Sequence, residues 1–176
     1  MKIRKDGNLI DTEREATVRD LMRHTSGLTY GWKSSRPIRE ALRSAGVLDR
    51  NKKLVSMING MDKVPLQFQP GSDWVYGCST DVLGGVVEVA SGMPFDEFLE
   101  ERIFKPLKMK DTGFYVPANK VKRFAANYNY RKGMLTMIDN PKTSRYLENP
   151  VFKSGGGGLC STASDYICLL YTSPSP

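Results

Sequence analysis

Histidine occurs once in the 176 residues, at His24, and cysteine three times, at Cys78, Cys160 and Cys168. The cysteines have no metal-ligand spacing and cannot all pair with one another. A lone histidine lacks the partners that a metal site or a catalytic dyad requires. This inventory calls for no metal or other cofactor. Long apolar runs are missing as well, and no stretch approaches the length of a bilayer span. Met1-Lys-Ile-Arg-Lys-Asp6 leads into polar sequence without the apolar core of a secretory leader. The glycine run Gly155-Gly-Gly-Gly158 lacks the Gly-Lys-Ser/Thr ending of a P-loop, so it reads as close backbone packing rather than a phosphate cradle.

Charge is abundant but uneven. Lysine and arginine total 26 against 19 aspartates and glutamates, a formal excess of +7. Residues 54–104 are acidic and the stretches on either side are basic. The basic residues are not interleaved with aromatics in any dense run, so they read as a solvated surface and not as a nucleic-acid interface. With 40% of residues hydrophobic, the chain can bury a real core and is read as one globular domain.

Residues 2–16 are charged and poor in apolar groups, with a turn at Asp6-Gly7, and read as a connection. No strand is expected before residue 106. Thr17-Val-Arg-Asp20 has the form of a capping box opening a short helix, with Val18, Leu21 and Met22 inward and Gly27 as its stop. Further helices are expected from Pro37 to Ala45 and from about Asn51 to Asn59, the latter with Leu54, Val55 and Ile58 on one side. Pro94 opens another, with Phe95, Phe98, Leu99 and Ile103 as its apolar stripe before Pro106. Residues 124–138 read as a hairpin turning at Arg131-Lys-Gly133. Lys142–Ser154 reads as loop, and Ser161 or Thr162 caps a final helix.

The organising stretch is Gln69–Gly92. Pro70-Gly71 is a tight-turn signal that delivers Trp74 and Tyr76. Ser79 or Thr80 then caps a helix whose Val82, Leu83, Val86, Val87 and Ala90 share one face, and Gly92 ends it. Gly84 and Gly85 each cost about 1 kcal/mol inside a helix, which points to close approach by another element. Tyr76, just before this helix, is well placed to be held in a site.

Four phrases in order resemble the serine β-lactamase-like hydrolases, comprising class C β-lactamases, family VIII carboxylesterases and D-alanyl-D-alanine peptidases. They are Thr17-Val-Arg-Asp-Leu-Met-Arg-His-Thr-Ser-Gly-Leu28, Gln69-Pro-Gly-Ser-Asp-Trp-Val-Tyr76 with Asp81-Val-Leu-Gly84, Ile103-Phe-Lys-Pro-Leu-Lys-Met-Lys-Asp-Thr-Gly113, and Ser154-Gly-Gly-Gly-Gly-Leu-Cys-Ser-Thr-Ala-Ser-Asp-Tyr166. In the third, Lys108 stands where glycine is usual. The resemblance implies an α+β, β-lactamase/transpeptidase-like fold, of which this chain carries mainly the helical part and a small hairpin. It also implies acyl transfer on a small-molecule ester, amide or β-lactam, in which a serine of an S-x-x-K motif attacks a carbonyl and a tyrosine relays its proton. On that resemblance Tyr76 is the general base, with cationic partners favouring its phenolate.

No serine of the chain has lysine three positions later, and no K-T-G-like strand follows the glycine run. The sequence therefore reads as an internal piece, residues 1–167 being a partial domain without its nucleophile and inactive as given. Residues 168–176 resemble a translated sequencing adapter and are expected not to continue the final helix. Cys78 replaces the asparagine of the Y-x-N pattern, which favours an esterase-like relative over a β-lactamase. Other readings remain beside this one: Tyr76 as a core aromatic, His24 as a structural loop residue, Cys78 with His24 as a nucleophile pair, Ser154 and Ser161 as caps or loop residues. The whole is alternatively a non-catalytic helical module that binds acyl or peptide ligands.

Overall fold

The computed structural model describes residues 1–5, 7–47 and 49–172, without the side chains of Arg4 and Lys5. The chain divides into two compact units, the first Met1–Phe98 with Val151–Gly158, the second Leu99–Pro150 with the segment from Leu159.

The first unit begins with a hairpin of β1 (Lys2–Lys5) and β2 (Asn8–Asp11), paired antiparallel with Ile3 opposite Ile10. This corrects the expectation of a strandless connection. The pairing is set by backbone bonds and the turn at Gly7, whose φ is +84°, while among the described side chains only Ile3 is buried, so the strands carry almost no apolar pattern. Leu66 fixes the hairpin to the core through a bridge to Ile3 and a bond from its N–H to the Lys2 carbonyl, 2.8 Å.

Helix α1 (Val18–Arg23) carries the expected capping box. The Thr17 hydroxyl accepts from the Asp20 N–H at 3.2 Å, and the Asp20 carboxylate accepts from the Thr17 N–H at 2.8 Å. Asp20 also accepts from Nη1 and Nη2 of Arg14, at 2.7 and 3.0 Å, and from the Thr25 hydroxyl at 3.0 Å. Of the three apolar residues expected inward, only Leu21 is buried; Val18 and Met22 are exposed, because six residues present a single narrow face. The helix stops at His24, in the left-handed conformation at φ 57°, three residues before the expected Gly27.

Helices α2 (Arg36–Ser44) and α3 (Leu54–Met61) follow the expected ranges within a few residues. In α3 the inward side chains are Leu54, Met57 and Met61, Ile58 is half-buried, and Val55 faces out. Helix α4 (Ser79–Ser91) ends at Gly92, at φ 69°. Its cap differs from expectation, since Cys78 precedes it without a side-chain cap bond and Ser79 is its first residue. Its buried face also differs, being Ser79, Asp81, Gly84 and Gly85, with the valines at best half-buried. The expected close approach is the reason: a Cβ on Gly85 would stand 1.8 Å from Ile58 Cδ1, so the glycine side is the one α3 packs against.

The chain leaves the first unit through α5 (Phe95–Leu99), followed by a π-helical turn at Glu100–Phe104. The second unit holds the expected hairpin, β3 (Asn127–Arg131) with β4 (Met134–Asp139). Positive φ at Lys132 and Gly133 makes the tight turn. Helix α6 (Ala163–Thr172) is capped by Thr162, whose hydroxyl accepts from the Asp165 N–H at 3.2 Å. Contrary to expectation, Cys168–Thr172 continue it, because Ile167 to Tyr171 contain no helix breaker. Ser173–Pro176 lie outside the described residues.

The Arg14 bond, first, and the backbone and hydroxyl bonds of Thr17 hold the Asp20 carboxyl well below the usual carboxylate range. A carboxylate depressed in the folded state contributes stability that is complete above its unfolded value, about pH 4, and is lost as pH falls through the lower folded value. Asp20→Asn is expected to lower unfolding free energy in urea by about 1–3 kcal/mol at pH 7. The gap between the two proteins should narrow only below about pH 4.

Candidate active site

Tyr76 lies between the Pro70-Gly71 turn and α4, and is 47% exposed. Gly71 takes the positive φ, +88°, that the turn requires, and its N–H donates to the Thr25 carbonyl at 2.7 Å. The Val75 N–H then donates to the His24 carbonyl at 3.1 Å, which lays this segment beside the end of α1. On the other side of Tyr76, a Cβ on Gly77 would come within 2.2 Å of the Leu28 carbonyl oxygen. Only glycine lets these two backbones touch.

The result is a contiguous group of rings. Tyr76 has its ring centroid 5.2 Å from His24, 5.8 Å from Tyr30 and 5.9 Å from Trp32. His24 is also 6.2 Å from Trp74, and Tyr30 is 5.3 Å from Trp32. Among the described residues the Tyr76 hydroxyl has no hydrogen-bond partner, and neither has the buried Nδ1 of His24. The contacts that hold Tyr76 are these rings, and the cationic partners implied by the resemblance are not among them.

Beneath the rings lies a carboxylate that the sequence reading did not single out. Asp81 is 2% exposed. It accepts from the Tyr30 hydroxyl at 2.7 Å, the Ser154 hydroxyl at 2.6 Å and the Gly156 N–H at 3.1 Å. Burial first, and then the bond to Asp81, push the Tyr30 phenol well above its ordinary value, so it stays a neutral donor. Ser154 is therefore a bonded element of the site and not a free loop residue. A Cβ on Gly155 would meet the Thr80 carbonyl oxygen at 2.2 Å, in keeping with the packing expected of the glycine run. The available signal was an acid at the start of an otherwise small and apolar helix.

Cys78 is fully buried and its thiol donates to the Thr29 carbonyl at 3.5 Å. Burial, aided by the Asp81 charge, pushes its pKa up to about 12. A thiol so placed is no nucleophile, which removes the Cys78–His24 pair. His24 serves as the C-terminal cap of α1 and as a wall for Tyr76, the structural role anticipated for it.

The second unit contains a separate cavity of about 440 Å³, lined by Lys110, Asp111, Tyr115, Lys120, Arg123 and Cys160 among others. Arg123 and Lys120 bond Asp111 and draw its pKa to about 2, so two of the cavity's cations are already paired. Ser161 there exchanges a hydrogen bond with Thr112 at 2.8 Å. Among the described residues no group of three His, Cys, Asp or Glu is placed to hold a metal, and no helix is long and apolar enough to cross a membrane.

A family model described as Beta-lactamase matches residues 8–174. The chain is 34% identical over 154 residues to Protein Rv1367c of Mycobacterium tuberculosis (strain ATCC 25618 / H37Rv), covering 88% of the chain and 37% of that protein. It is 30% identical over 177 residues to Esterase EstB of Burkholderia gladioli, covering 90% and 44%. Among solved structures, EstCE1, a hydrolase with promiscuous acyltransferase activity, matches at a TM-score of 0.73 and 25% identity, over 89% of this chain and 45% of that one. The chain spans less than half the length of each of these relatives.

The burial of Cys78 makes a direct chemical prediction. With a thiol-reactive disulfide at pH 8, Cys160 and Cys168 of the native chain should react and Cys78 should not, becoming reactive only in denaturing urea. Rapid native labelling of Cys78, located by peptide mass, would contradict the placement.

Proposed function

Since the chain belongs to the β-lactamase family and has its α+β, β-lactamase/transpeptidase-like fold, we propose that it is part of a serine hydrolase or acyltransferase in which Tyr76 is the general base. The carrying observation is the state of Tyr76: its ring is held by three others, its hydroxyl has no partner among the described residues, and nearly half of its surface is open. In the proposed reaction a serine Oγ adds to the substrate carbonyl and passes its proton to Tyr76, which reacts as the phenolate and becomes the phenol. That proton goes on to the leaving alcohol or amine as the acyl-enzyme forms. Water or a second alcohol then takes the acyl group.

The serine is not in an S-x-x-K motif of this sequence, so the 176 residues alone are expected to be inactive. Esters are the preferred substrate class over β-lactams and amides, because Cys78, where an asparagine would help hold a substrate amide, is buried and spends its thiol on Thr29. EstB is named an esterase and EstCE1 a hydrolase with acyltransferase activity, which is consistent with that order. The missing S-x-x-K favours one alternative, a module that binds acyl or peptide ligands without turnover.

The test is hydrolysis of 4-nitrophenyl butyrate. The 176-residue chain should not exceed the buffer rate, whereas the longer protein encoded by its parent gene should show turnover. In that longer protein Tyr76→Phe should lower kcat by about 10²–10⁴-fold, the range for loss of a general base. A Tyr76→Phe protein with unchanged kcat would overturn the assignment, and a folded longer protein without turnover would favour the binding module.

A further inference from the structure

The chain has two tryptophans, and both lie on the surface around Tyr76. Trp32 is 76% exposed and Trp74 is 61% exposed, more open than the tyrosine they flank. Trp32 is inclined by 31° to both Tyr30 and Tyr76, which stand at 56° to one another, so the three rings form a faceted cluster that offers both faces and edges. Trp74 stands edge-on to His24, at 63°, and joins the cluster through it. The platform is fixed from below, since the buried Asp81 holds the Tyr30 hydroxyl and the Gly77 backbone has no room to shift. Large rings with two side-chain torsions lose little conformational freedom on binding, and their faces gain from an offset or edge-to-face partner ring.

We propose that this platform receives an aryl-bearing acyl group, so that an ester whose ring lies on Trp32 and Trp74 presents its carbonyl beside the Tyr76 hydroxyl. The proposal rests on Tyr76 marking the reacting centre, but the binding it describes needs no nucleophile and is measurable on the 176-residue chain. It narrows the substrate class from esters in general to esters with an aromatic acyl part.

Because the only two tryptophans are in the platform, their emission, excited at the red edge of indole absorption, reports binding directly. The probes are methyl 3-phenylpropanoate, methyl 3-cyclohexylpropanoate and methyl acetate, titrated into the whole chain. The phenyl ester should give a saturable change in emission, the cyclohexyl ester should bind about three- to tenfold more weakly, and methyl acetate should give no saturable change. Trp32→Ala, read through the remaining Trp74, should weaken the phenyl ester by about tenfold, and Trp32→Phe should recover most of that loss. Trp32 is exposed, so its removal leaves the core intact. Tyr76→Phe keeps the ring and should bind within about twofold of the unsubstituted chain. A normal platform with unimpaired turnover in that variant would sink the base assignment alone. Absence of a saturable response, equal affinity for phenyl and cyclohexyl esters, or unchanged binding by Trp32→Ala would overturn the platform.

Discussion

One buried carboxylate holds the candidate site together. Asp81 is nearly inaccessible, and an unpaired charge in that position would be strongly destabilising. It is instead met by three donors from two distant segments, Tyr30 near the end of α1 and Ser154 with Gly156 from the glycine run. Because the carboxylate sits in the first turn of α4, those segments are drawn to the start of the helix that follows Tyr76. The rings then have little freedom: Tyr30 is tied from below, and Tyr76 lies against Tyr30, His24 and Trp32. Backbone contact at Gly77 and Gly155 closes the remaining space.

Local chemistry was legible in the sequence where it was self-contained. The Thr17–Asp20 box, the Lys132-Gly133 turn and the Gly92 stop are decided by residues within a few positions, and each forms as read. The organising stretch was found for a similar reason, as a tight turn, two aromatics and a helix start fall within about twenty residues. What failed depended on distant partners. The β1–β2 hairpin has little apolar alternation and is anchored by Leu66, far along the chain. The inward face of α4 was assigned to its valines by periodicity, yet α3 approaches on the glycine side, and the small residues are buried instead. Asp81 entered the sequence reading only as part of the phrase that follows Tyr76, since nothing near it in sequence shows that Tyr30 and Ser154 will reach it.

Tyr76 is oriented by packing, and its hydroxyl is left without a partner among the described residues. A phenol that is to act as a base gains from fixed position before it gains from tuned acidity, because proton transfer requires hydrogen-bond distance. Cys78 supports this arrangement as a buried donor to the Thr29 carbonyl, beside the segment that carries Tyr30. The residues around the tyrosine thus divide between a buried polar layer that sets position and an exposed aromatic layer that meets solvent.

The most direct test of this account is the contact between the Tyr76 ring and its neighbours when Asp81 is removed. Proton–proton nuclear Overhauser effects from Tyr76 to Tyr30 and Trp32 should be clear in the unsubstituted chain, where the centroids are 5.8 and 5.9 Å apart. In Asp81→Ala they should weaken markedly or vanish while α4 keeps its helical amide pattern. Ring contacts that persist unchanged in an otherwise folded Asp81→Ala protein would contradict the claim that this carboxylate positions Tyr76.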